Sequence, residues 1–113
     1  MLRDDGSVLL ARARRPLGLL ARARGLIATP PLAPDEGLWL DRCDSIHMFG
    51  MRYPIDVVFL RARRIERLCA GVRPMHARWC RRADSVLELA NGAIARLGLR
   101  EAQALEFRST QNP

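Results

Sequence analysis

Apolar and polar residues alternate in short runs along most of the chain, and few runs are long enough for an extended helix. Ile55 to Leu60 is the plainest run. Successive strand residues face opposite sides, so Ile55, Val57 and Phe59 would share one face and Asp56, Val58 and Leu60 the other. Both faces are apolar apart from Asp56, which predicts a central strand. Ile65 to Val72 reads as its hairpin partner. The polar turn between them, Arg61 to Arg64, lacks the Asn-Gly or Asp-Gly of a tight hairpin. Shorter strand patterns lie at Val8 to Ala13, Leu38 to Leu40, Ser45 to Phe49, Val86 to Leu89 and Gln103 to Phe107. Arg78 to Arg82 reads as an edge strand or an irregular arm.

Two short helices complete the pattern. Pro16 suits a first helical position, Leu17, Leu20 and Ala21 share a face, and Gly25 suits the place just past the end of a helix over Pro16 to Arg24. Asn91 would cap a second helix over Gly92 to Leu97, ended by Gly98. Thr29 to Gly37 carries Pro30, Pro31 and Pro34 and reads as an internal loop. Ser109 to Pro113 reads as a disordered tail. Many short strands with two short helices predict a mainly β fold (α+β by helix content), built as an antiparallel sandwich or half-barrel. A chain of 113 residues suits one domain over 1–113.

Charge changes this picture little. The net charge is +7, and all nineteen basic residues are Arg, many beside Ala. That bias reads as the composition of a GC-rich genome on a solvated surface, and nucleic acid is not an expected partner, because attraction to phosphate alone is non-specific. The cysteines are Cys43, Cys69 and Cys80. Their odd number, wide spacing and lack of a CxxC pair argue against a disulfide framework and a zinc ribbon, and suit a reducing compartment. Asp4 and Asp5 precede the first apolar stretch, unlike a secretory leader. No run approaches a membrane span. The expectation is a cytoplasmic protein without membrane contact.

The chemistry concentrates in Cys43-Asp44-Ser45-Ile46-His47-Met48-Phe49-Gly50-Met51-Arg52-Tyr53-Pro54-Ile55-Asp56. Gly50 and Pro54 imply a reversal that could bring His47 near Asp56. A carboxylate at position 56 is costly to bury without donors. It needs Arg52, His47, a hydroxyl or backbone N–H groups, and pinning a loop by accepting N–H bonds is the plainer reading. Glu88, between apolar neighbours, reads as an edge-strand carboxylate facing water or an Arg; the sharper alternative places it in one pocket with Asp56.

The same stretch, continued through Val57-Val58-Phe59-Leu60, resembles the signature of domain-of-unknown-function family 192, in which Cys, Ser-Ile-His-Thr-Phe-Gly-Met, Arg and Pro-Ile-Asp-Val-Val-Phe follow in order. Ala23-Arg24-Gly25-Leu26 resembles the family's Arg-Gly-Leu helix end. Val86-Leu87-Glu88-Leu89 with Gly92 and Leu97-Gly98-Leu99 resembles its Leu-Glu-Leu, Gly and Leu-Gly segment. The resemblance implies a mainly β, sandwich-like fold and no established activity. Many members carry an export signal; this chain resembles those that do not. It departs from the pattern at Met48, where Thr is usual, at Arg61-Ala62-Arg63-Arg64, where Asp-Gly is expected, and at Glu101-Ala102, where Gly-Asp is expected.

Three functional readings follow. The leading one is a non-enzymatic binding module without a cofactor. It would hold a small molecule or a protein partner in a cleft near His47, Met51, Arg52, Asp56 and Glu88, with Arg52 facing an anionic group. The second is soft-metal binding, in which Cys43, His47, Met48 and Met51 offer S and N donors that suit Cu(I), with Met75 and His76 as a further pair. The third is a hydrolase-like enzyme using Cys43 or Ser45 with His47 and Asp56 as nucleophile, base and orienter. Converging thiol, imidazole and thioether groups would favour metal; a nucleophile–base contact would favour catalysis.

Overall fold

The computed structural model describes residues 1–3, 6–15, 31–48 and 51–106. The helix expected over Pro16 to Arg24 and the tail from Ser109 lie outside them. Nine strands are described: β1 (Leu2–Arg3), β2 (Arg12–Arg14), β3 (Glu36–Asp41), β4 (Ser45–His47), β5 (Ile55–Arg61), β6 (Arg64–Val72), β7 (Ala77–Trp79), β8 (Ser85–Ala90) and β9 (Leu105–Glu106), with one helix, α1 (Ala93–Leu97), between the last two strands. The fold is mainly β.

The centre is a five-stranded sheet in the order β2-β3-β8-β5-β6. Its pairs are antiparallel except β2 with β3. β5 lies between β8 and β6, so the strand that is apolar on both faces is indeed interior, and each of its residues from Ile55 to Leu60 is buried. Two-stranded ribbons, β1 with β9 and β4 with β7, complete the structure.

Alternation along the strands builds an apolar cluster on each face of the sheet. Val58, Leu60, Leu87 and Leu89 face Leu9, Leu10, Ala93, Leu99 and Leu105, so the N-terminal segment, α1 and β9 cover the first face. Val57, Phe59, Val86, Leu38 and Leu40 face Leu32, Ile46 and Met48, so the β4–β7 ribbon and the segment after Pro31 cover the second. An open sheet covered on both sides is the sandwich-like arrangement that the strand pattern implies.

Local departures from expectation have local causes. The first strand is not a continuous run from Val8: Val8 only bridges Leu2, and β2 begins at Arg12. β3 starts at Glu36, inside the expected loop, because Gly37 lets Leu10 pack closely against its backbone; a Cβ there would lie 2.8 Å from Leu10 Cδ1. The hairpin after β5 is tight despite its sequence. Arg61 pairs with Arg64, and Ala62 and Arg63 both take left-handed φ, of 50° and 65°. The arm over Arg78 to Arg82 is strand only from Ala77 to Trp79. α1 is not capped by Asn91: Gly92 occupies the N-cap, at φ 88°, and its missing side chain is replaced from a distant strand.

Candidate functional site

Asp56 supplies that replacement. Its Oδ2 accepts the backbone N–H of Ile94, in the first turn of α1, at 2.8 Å, and its Oδ1 accepts the N–H of Gly71 at 2.8 Å. Opposite Asp56 the register of β6 slips, since Ile55 pairs with Val72 and Val57 with Cys69. The extra residue makes a bulge, with Gly71 at φ 60°. One fully buried carboxylate therefore satisfies an orphan donor of a helix N-terminus and an orphan donor of a bulge. Neither His47 nor Arg52 is its partner.

Glu88 is 9% exposed and sits across from Leu38 on one side and Val57 on the other. Among the described residues no hydrogen bond or ion pair reaches its carboxyl group. Burial pushes its pKa up to about 7. The edge-strand reading of Glu88 is therefore corrected, because β8 is interior, between β3 and β5. The shared pocket with Asp56 is not formed either. Asp56 alternates with Val57 and joins the face of Leu87 and Leu89, whereas Glu88 joins the face of Val57 and Val86. The sheet stands between the two carboxyl groups.

The rest of the signature divides in the same way. Ile46 and Met48 point into the second apolar cluster, while Ser45 and His47 are on the outer side of β4. Met51 and Cys43 pack against that cluster from its margin. The Cys43 thiol donates to the Ser45 carbonyl at 3.0 Å, and neither it nor the Ser45 hydroxyl bonds to His47. Strand alternation turns His47 away from Met48, while Cys43 and Met51 lie outside β4 and pack at the margin of the second cluster. Among the described residues no three His, Cys, Asp or Glu side chains gather as a metal ion would require. Arg52 is exposed beside Tyr53. Met75 and His76 are exposed in the turn before β7, the Met75 amide donating to the Met48 carbonyl.

A cavity of about 410 Å³ opens at the end of the second face. It is lined by Pro31, Leu32, Pro34, Tyr53, Pro54, Ile55, Ala90 and Asn91. Its lining is mostly apolar. These residues were not singled out from the sequence. The signal available was the cluster of prolines in two loops, Pro31 and Pro34 in one and Pro54 in the other, each of which fixes a backbone angle.

A mainly β scaffold in which Ile46 and Met48 pack the second face and Asp56 caps a helix defines a class by fold. The chain matches the profile of DUF192, described as "Uncharacterized ACR", over residues 8–107, and belongs to that family. No curated protein matches it. Two crystal structures share the fold. A protein of unknown function from Novosphingobium aromaticivorans is 23% identical, with a TM-score of 0.76 over 84% of this chain and 74% of the other. A Sinorhizobium meliloti protein called a "putative transcription regulator" is 25% identical, with a TM-score of 0.75 over 83% of this chain and 79% of the other. No helix among the described residues is long and apolar enough to cross a membrane.

Proposed function

We propose that the protein is a binding module without catalysis, which takes a small, mostly apolar ligand with an anionic group in the cavity beside Tyr53 and Pro54. The cavity of about 410 Å³ carries this reading, since small-molecule sites are apolar concavities of roughly 300–1,000 Å³ with a few polar groups. Pro31, Pro34 and Pro54 stiffen the walls, which lowers the ordering cost of binding. Asn91 supplies an amide to the lining, and exposed Arg52 follows the marginal Met51 and precedes Tyr53, where it would meet the anionic end. The thiols of Cys43, Cys69 and Cys80, none of them in a disulfide, support a reducing, cytoplasmic setting.

Anilinonaphthalene sulfonate is a suitable probe, with an apolar ring system and one negative charge. The expected result is saturable one-to-one fluorescence enhancement. It should be weakened at least tenfold by Ala90→Trp, which fills the cavity, and severalfold by Arg52→Ala, with melting temperatures maintained. Enhancement indifferent to Ala90→Trp in a folded variant would refute the cavity as the site.

A further inference from the structure

The outer face of the β4–β7 ribbon lies apart from the cavity. It presents Trp79, 62% exposed, directly across from Ser45, with His47 and Ala77 as the next pair along. Met75, 68% exposed, stands in the turn before β7. Aromatic residues are 5% of the chain, and the other tryptophan, Trp39, is buried. Trp79 is thus a large apolar side chain left in water on a strand.

Its surroundings are cationic. From Arg67 to Ala83 the chain carries five Arg and His76 and no Asp or Glu. Arg67 Nη1 donates to the carbonyl of Trp79, which fixes a guanidinium at the edge of the indole's own strand. Arg73, Arg81 and Arg82 are exposed. Arg12 pairs with Asp35 and Glu36, and Arg15 with Asp41. Among the described residues, none of the five Arg near the ribbon is so compensated. Asp44, whose carbonyl accepts the Cys80 amide, and Asp84, two residues after Arg82, are carboxylates that border this stretch.

We infer that this face binds single-stranded nucleic acid, with an unpaired base stacked on Trp79 and the flanking phosphates held by Arg67, Arg81 and Arg82. Charge complementarity calls for an anionic partner. A flat indole beside the cations selects one that also offers π-faces, the combination used by single-strand binders. A duplex keeps its bases stacked internally and would leave Trp79 unused. Arginine content alone does not support this reading; the placement of Trp79 among arginines without a carboxylate partner does.

The test is a fluorescence-anisotropy titration of a dye-labelled fifteen-nucleotide oligo(dT), at low and moderate salt, with the protein's own tryptophan emission followed beside it. Stacking should quench Trp79 emission, whereas buried Trp39 would be unaffected. Affinity should fall as salt rises, with a slope of about −2 for three phosphate contacts on a single strand. Trp79→Ala should weaken binding about tenfold, and Arg81→Ala with Arg82→Ala should lower both affinity and salt slope, all at unchanged melting temperature. Absence of binding, or equal binding by Trp79→Ala, would overturn the inference. So would polyglutamate binding as tightly as oligo(dT) with the same quenching, which would make the face a dock for an acidic protein.

Discussion

A carboxyl group largely withdrawn from water destabilises the fold when it ionises, and Glu88, 9% exposed, is in that position. Its pKa of about 7, against an ordinary 4.5, means that the folded state holds a proton the unfolded chain releases. Between those values the folded protein binds more protons, so stability falls as pH rises and levels off above pH 7. The loss is about 3 kcal/mol across that window. Urea unfolding of Glu88→Gln at pH 5 and pH 8 should show little of the decline seen in the natural chain. An equal decline in both would assign the pH dependence elsewhere. Met48 is the converse case. Where the family pattern has Thr, this chain buries an unbranched apolar side chain in the second cluster, 2% exposed, and gains packing in place of a hydroxyl.

At the scale of elements, the turns reveal what the composition has cost. Ala62 and Arg63 close the β5–β6 hairpin with both residues in the left-handed region, as a two-residue turn of primed type demands. Asn or Asp followed by Gly fits that geometry; a residue with a Cβ costs roughly 1–2 kcal/mol there. The Asp84 carboxylate, accepting the Ala62 N–H at 2.9 Å, holds the turn in compensation. Ala102, at φ 69°, repeats the situation where the family pattern has Gly-Asp. Replacing Ala62 with Asn and Arg63 with Gly should therefore raise stability by about 1–2 kcal/mol, read as a higher urea midpoint at the same m-value. A lowered midpoint would mean that the turn is not the primed type. β5 was legible in the sequence because its two apolar faces announce a central strand. The turn was not, since its residues contradict their own conformation and only the pairing of Arg61 with Arg64 imposes it.

Across the whole molecule, one signature serves two faces. The need of Asp56 for donors could be read from its apolar neighbours, and backbone N–H groups were among the expected partners. Which ones could not, because Gly71 and Ile94 arrive through a bulge in β6 and a helix far along the chain. A cap at Asn91 is what the local sequence favours, whereas the Ile94 N–H is satisfied by Asp56 from another element. Likewise each strand's alternation was legible, but the register between β5 and β8 was not, and that register sets Asp56 and Glu88 on opposite sides. The cavity was hidden for the same reason: it needs two proline-bearing loops to meet at the end of one sheet face.

Asp56 thus joins β5, β6 and α1, while His47 stays on the outer side of a ribbon. The most direct test is urea unfolding of Asp56→Ala beside His47→Ala. Removing the carboxylate strands two N–H donors, at about 1–3 kcal/mol each, so Asp56→Ala should lose about 2–6 kcal/mol. His47→Ala should change stability by no more than about 1 kcal/mol, as an exposed substitution does. An Asp56→Ala variant as stable as the natural chain would contradict the structural role assigned to Asp56, and the carboxylate would then belong to a site that costs the fold nothing to lose.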